Sequence, residues 1–210
     1  MLGWEAHSST VTTVPVRSAP DPVSVILADP ASMPLQRVFK EASRPRGLPT
    51  CDPMDPHPDL VELAPLVGTW RGEGHGTYPT IEPFDYTEEV VFATVPTKPF
   101  LVYRQRTADA TSGEPLHAES GYLRSPGPGR IEMTVAQPTG IAEVHAGTVS
   151  DGAFDLRSQA VVLTPTAKEV VTVHRHLVVR GDVLRYRLEM GAMGQPHQLH
   201  LEAELRRVGP

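Results

Sequence analysis

From residue 68 almost to the carboxyl end, apolar and polar positions alternate with a period of two, and turn-forming residues interrupt the alternation at short intervals. Strands are predicted over 68–78, 85–95, 99–107, 115–124, 129–136, 140–149, 152–161, 168–180, 182–191 and 197–208. Pro96, Ser112–Gly113, Pro126–Gly127–Pro128–Gly129, Asp151–Gly152, Gly181–Asp182 and Gly194–Gln195–Pro196 punctuate them. Asp151–Gly152 and Gly181–Asp182 suit tight hairpins, because Asp and Gly tolerate the positive φ such turns demand. In one strand Leu184, Tyr186, Leu188 and Met190 share a face, and Arg185, Arg187 and Glu189 take the other. Ten short strands joined by short turns predict an all-β, up-and-down antiparallel meander. Closing it into a barrel removes two open edges. A barrel of this size resembles lipocalin and fatty-acid-binding architectures and has room for one small apolar ligand.

The pattern is different before residue 68. Leu60, Leu63, Ala64 and Val67 recur at helical spacing behind Pro58 and Asp59, which predicts a short helix over 58–67 that ends at Gly68. This helix is expected to plug the barrel floor, with Trp70 packed on it. Ten of the 22 prolines fall in the first 58 residues, among Ser, Thr and Asp, with no sustained period. Residues 1–57 are therefore expected to form a disordered or low-complexity extension, and residues 58–210 the barrel domain. Met54 stands just before the compact region and could serve as the translation start.

Composition narrows the function classes. A net charge of −6 argues against nucleic acid, since phosphate contacts need a basic stripe. No apolar run is long enough to cross a bilayer, and residues 1–17 lack the layout of a secretory signal. The lone Cys51 has no internal disulfide partner and no metal-site neighbours, which fits a tolerated loop thiol and a cytoplasmic setting.

The most unusual stretch is Gly68-Thr69-Trp70-Arg71-Gly72-Glu73-Gly74-His75-Gly76-Thr77-Tyr78-Pro79-Thr80-Ile81. Gly68, Gly72, Gly74 and Gly76 share parity with Trp70. Glycine weakens a strand, so their presence implies either close approach of a bulky ligand or backbone, or a sharply bent strand at the barrel seam. This segment resembles the nitrobindin signature Gly-x-Trp-x-Gly-x-Gly followed by Tyr-Pro-Thr-Ile. Further likenesses follow in order at Pro83–Val90, Leu116–Arg124, Thr166–Val170, Met190–Pro196 and His200–Ala203, so the resemblance spans roughly residues 58–207. It implies a ten-stranded barrel with haem b, one per subunit, in a cleft at one end. It also implies nitric oxide binding and isomerisation of peroxynitrite to nitrate at ferric haem. The proximal ligand is then His200, Thr80 contacts the haem, and His117 falls on the distal side. The implied ligands are small molecules, with no nucleic acid or membrane, and a homodimer is left open.

The residues themselves leave alternatives. His200 shares parity with Gln198, Glu202, Glu204 and Arg206, opposite the apolar face of Leu199, Leu201, Ala203 and Leu205. Strict alternation puts it outside and favours His197 as the ligand, whereas the resemblance favours His200. A bulge near Gly194–Pro196 would lie before both histidines and could not separate them. Lys168 is either a propionate partner or a solvated strand lysine. His7, His57 and His75 are expected in solvent, and His145, His174 and His176 at the surface or packed. Met133, Met190 and Met193 are expected in wall or core. Glu88 and Glu89 point to opposite faces, and with Glu202 and Glu204 are expected to be structural or solvated. A metal-free carrier of a fatty acid or similar apolar molecule is the alternative function, and a nitric oxide sensor would use the same site.

Overall fold

The computed structural model of the chain describes residues 57–209. The expected extension over 1–57, with His7, Cys51 and Met54, lies outside the described residues except for His57, whose Nδ1 accepts the Asp59 N–H. Ten strands follow: β1 (Gly68–Tyr78), β2 (Ile81–Thr94), β3 (Leu101–Asp109), β4 (Pro115–Arg124), β5 (Arg130–Ala136), β6 (Ile141–Ser150), β7 (Ala153–Leu163), β8 (Val170–Arg180), β9 (Val183–Ala192) and β10 (Gln198–Val208). Each pairs antiparallel with the next, and β10 pairs with β1, which closes the barrel. Asp151 and Gly152 both adopt positive φ in the β6–β7 hairpin, the conformation their residue types favour.

Several details differ from the reading of the sequence. No α-helix forms over 58–67; two short 3₁₀ turns, Pro58–Leu60 and Ala64–Leu66, take its place. Pro65 lacks the N–H an α-helix would use, and Leu60, Leu63 and Leu66 recur every three residues, the 3₁₀ repeat. β2 reaches back to Ile81, leaving only Pro79 and Thr80 in the β1–β2 turn, and β8 begins at Val170 rather than at 168. Met193 is an exposed turn residue with positive φ and belongs to neither wall nor core, whereas Met133 is buried.

The 3₁₀ turns still plug the barrel. Leu60, Leu63 and Leu66 are fully buried in one core with Trp70, Phe92, Leu101, Phe154, Leu184 and Leu205. Each such leucine contributes about 1.5–3 kcal/mol of transfer free energy. Trp70 Nε1–H donates to the Leu66 carbonyl at 2.7 Å, and the Arg207 guanidinium lies 4.1 Å over the indole. Arg207 also donates to the Pro65 and Val67 carbonyls, and Glu62 accepts the Gly129 N–H of the β4–β5 turn. This end of the barrel is therefore closed.

The other end carries the β1–β2, β3–β4, β5–β6, β7–β8 and β9–β10 connections, and among the described residues no element covers it. Here the wall also parts. β7 and β8 are paired only where Ala153–Arg157 faces His174–Val178. Beyond that β7 stays with β6 as far as Leu163, and β8 stays with β9 back to Val170. Val173 N–H reaches Ser158 Oγ at 3.0 Å just where the strands separate.

Candidate functional site

Two β-bulges lie at the open end, one on each neighbour of β1. Gly76 of β1 opposes Phe84 of β2 but Tyr78 opposes Ile81, so β2 carries one residue more than β1 at Glu82–Pro83. On β10, Leu199 opposes Glu189 but Leu201 opposes Leu188, which makes His200 the extra residue. A bulge suspends alternation, so His200 is released from the parity of Glu202 and Glu204. Its Nδ1 lies 3.1 Å from the Thr77 carbonyl oxygen. A carbonyl only accepts, so Nδ1 carries the hydrogen and Nε2 keeps its lone pair. The ring meets Tyr78 edge-on at 5.4 Å, and Tyr78 is fixed by bonds between its hydroxyl and the Ala192 N–H and carbonyl on β9. Burial pushes the His200 pKa down, against the Thr77 bond and with help from the nearby His117, which favours the neutral imidazole.

The other residues named from the sequence gather at the same end. His117 lies on β4 with Nε2 at 3.5 Å from buried Glu119. Thr80 is exposed in the β1–β2 turn, and Lys168 is exposed in the β7–β8 loop rather than in a strand. His197, just before β10, takes the outer side, where its Nδ1 meets Thr172 Oγ1 at 3.0 Å and its Nε2 lies 3.5 Å from Glu189. Strict alternation favoured His197 over His200; the bulge falls after His197, at His200 itself, and removes that argument.

The motif glycines answer to the chain's own atoms. A Cβ at Gly74 would overlap the Tyr86 ring, one at Gly76 the Phe84 ring, and one at Gly72 the β10 backbone at Glu204. The close approach expected there is made by the fold's own aromatic rings and backbone.

The interior holds a charged network on inward-facing strand positions. Arg175 forms a bidentate pair with Glu119, both bonds 2.8 Å, and reaches Glu143 at 2.9 Å. Glu143 bonds His145 Nε2 at 2.7 Å, so the fully buried His145 is packed. Tyr103 donates to Glu119 at 2.9 Å, Gln105 donates to Glu88, and Tyr186 donates to Glu88 at 2.9 Å. The signal was available: Glu88 shares parity with Val90 and Phe92, Arg175 with Val173 and Leu177, and Glu143 with Ile141. Burial opposes ionisation of Glu119, but the Arg175 guanidinium outweighs it and holds the carboxyl well below the usual range. Glu88 has no such cation bonded to it, and burial pushes it up to about 7 despite bonds from Gln105 and Tyr186. Glu89, Glu202 and Glu204 face outward, Glu89 pairing with Arg71 and Arg106.

The residues at the open end fit a haem. His200 offers an imidazole nitrogen without a partner among the described residues. Apolar side chains stay exposed on both lips of the parted wall, Val162 and Leu163 on β7 and Val171 on β8. Exposed apolar surface beside an unpartnered ligand atom suits a flat apolar group with a metal at its centre. Fold and donor set together define a closed antiparallel barrel plugged at one end, with an imidazole whose Nε2 has no partner among the described residues at the other.

Comparison with known proteins is specific. Residues 59–207 match the model of the THAP4-like, heme-binding beta-barrel domain. The chain is 55% identical over 159 residues to peroxynitrite isomerase 2 of Mycobacterium marinum, covering 74% of this chain and 98% of that one. It is 50% identical over 155 residues to the peroxynitrite isomerase of Nocardia farcinica, covering 72% and 92%. The crystal structure of Rv2717c from M. tuberculosis superposes with a TM-score of 0.69 at 48% identity, covering 74% of this chain and all of that one. An S-type phycobiliprotein lyase, CPES from Guillardia theta, shares the fold alone, with a TM-score of 0.52 at 11% identity. The chain belongs to the THAP4-like heme-binding β-barrel family, the nitrobindins.

Proposed function

We propose that the chain holds one haem b at the open end of its barrel through His200 Nε2, and isomerises peroxynitrite to nitrate there. The observation that carries this is the Nδ1–H bond from His200 to the Thr77 carbonyl, which leaves Nε2 a free electron pair on a ring braced by Tyr78. The relatives named peroxynitrite isomerase support the choice of reaction. Ferric haem, when bound, supplies the iron-centred chemistry that rearranges the peroxynitrite anion, and the same iron would bind nitric oxide.

The chain's own residues do the rest. The backbone bond to His200 fixes one tautomer and one ring orientation, as the partners of metal-bound histidines do elsewhere. His117 is held next to Glu119 and would donate to oxygen atoms of a bound anion. Thr80 and Lys168, exposed at the rim, offer a hydroxyl and an ammonium to propionate carboxylates. Leu163, which shares a face with inward-pointing Ile141, and Val171 would lie against the macrocycle and slow ligand escape.

A fatty-acid carrier is less well supported. The internal cavity is about 30 Å³, against the roughly 300–1,000 Å³ of ordinary ligand pockets. The test is a haemin titration of the wild type, His200→Ala and His197→Ala, followed by stopped-flow peroxynitrite decay and nitrate yield. Wild type and His197→Ala should bind one equivalent with a Soret shift and raise the nitrate yield. His200→Ala should lose the iron spectrum and fall to the free-haemin rate. Unchanged spectra and decay in His200→Ala would overturn the assignment.

A further inference from the structure

The outer wall carries a second constellation of ligand atoms, away from the barrel interior. His174 on β8, Glu189 on β9 and His197 before β10 place one donor atom each within 4.8 Å of one another. His174 Nδ1 lies 3.4 Å and His197 Nε2 3.5 Å from the same carboxylate oxygen, Oε2 of Glu189. These spacings are long for a direct N–H···O bond, whose usual range is about 2.7–3.2 Å. They match the separation of two ligands on one tetrahedral ion: at bond lengths of about 2.0–2.2 Å, ligand atoms sit about 3.3–3.6 Å apart.

The surrounding bonds point the same way. His174 Nε2 lies 2.8 Å from Asp155 Oδ2. A carboxylate accepts, so Nε2 carries the hydrogen and Nδ1 turns a lone pair toward Glu189. His197 Nδ1 lies 3.0 Å from Thr172 Oγ1, and a hydroxyl that accepts there leaves the Nε2 lone pair facing the same oxygen. A carboxylate or hydroxyl on the far nitrogen is how metal-binding imidazoles are set in tautomer and angle. Arg187 lies 3.9 Å from the other carboxylate oxygen, Oε1, and leaves Oε2 to face the two rings. The rings of His174 and His197 stack at 6.4 Å with an interplanar angle of 24°. His174 is largely buried while Glu189 and His197 are partly exposed, so the ligands are held from below and open to solvent above.

We propose that His174, Glu189 and His197 form a binding site for a divalent transition-metal ion of the zinc type, with water completing the coordination. Two imidazoles and a carboxylate suit such an ion, whereas calcium and magnesium call for oxygen ligands. The ion would clip β8, β9 and the start of β10 together, three residues upstream of His200. The site shares no ligand with the haem reading and stands independently of it.

Equilibrium dialysis of the full chain against zinc ion, with metal analysis and a chromophoric chelator as competitor, tests this. Wild type should retain one zinc per chain, and His200→Ala should match it. His174→Ala and His197→Ala should each lose the ion. Asp155→Asn keeps all three ligands and should weaken binding by about 10–100-fold. Zinc should also raise the melting temperature of the wild type and not of the double variant His174→Ala/His197→Ala, because only a native-state site stabilises in this way. No zinc on the wild type, or equal zinc on wild type and double variant, would overturn the proposal.

Discussion

Glu88 offers a quantitative test of the buried network. The residue is 3% exposed, and its strongest influence is desolvation, which lifts its pKa from 4.5 to about 7. At about 1.4 kcal/mol per unit, that displacement corresponds to about 3 kcal/mol. The direction follows from proton counts. Below pH 4.5 both folded and unfolded chains hold the proton, and Glu88 contributes no pH dependence. Between 4.5 and 7 the unfolded chain releases it while the folded chain keeps it, so rising pH favours unfolding; above 7 the loss is complete and constant. Glu88→Gln keeps the shape, lets an amide oxygen accept from Gln105, and removes the charge. Urea unfolding followed by tryptophan fluorescence at pH 5, 6, 7 and 8.5 gives both stabilities. Wild type should lose about 2–3 kcal/mol relative to Glu88→Gln between pH 5 and 8.5, with the change concentrated below pH 7. A difference between the two that stays flat with pH would show that Glu88 ionises normally and that the interior is wetter than the geometry implies.

Two further substitutions probe the same framework. Gly74→Val should destabilise the barrel by at least about 2 kcal/mol in urea unfolding, because its side chain overlaps the Tyr86 ring that bonds Tyr186 at 2.7 Å. Arg175→Met strands Glu119 and Glu143 without their cation and should cost about 3–5 kcal/mol, a cost recovered in part when both glutamates become Gln.

Much of the architecture was legible because it is written locally. Period-two alternation and turn residues located ten strands, with limits within two residues except at the start of β2. Parity separated Glu88 from Glu89 onto opposite faces; the structure buries Glu88 and leaves Glu89 outside, where Arg71 and Arg106 hold it. The resemblance brought His200, Thr80 and His117 together, and the open end of the barrel does gather them. Other features depend on partners distant in sequence. Alternation sent His200 outward because it assumes an unbroken ladder, and the bulge that releases it exists only in the register of β10 against β9. The glycines left a choice between close approach of a bulky ligand or backbone and a bent strand, and the Tyr86 and Phe84 rings across from Gly74 and Gly76 supply the close approach. The leucines of 58–67 fit two helical repeats equally well over so short a span, and Pro65 decided between them.

The order of residues by itself therefore determined the strands, their inward and outward faces and the acidic, glycine-rich and histidine-bearing segments, since each depends on neighbours a few positions away. Only the closed barrel decided which histidine turns toward the open end, which carboxylates meet Arg175 and where the wall parts, because these follow from register and closure. Strands far apart in the chain must be hydrogen-bonded in one alignment before a bulge, a buried ion pair or a gap between β7 and β8 can exist.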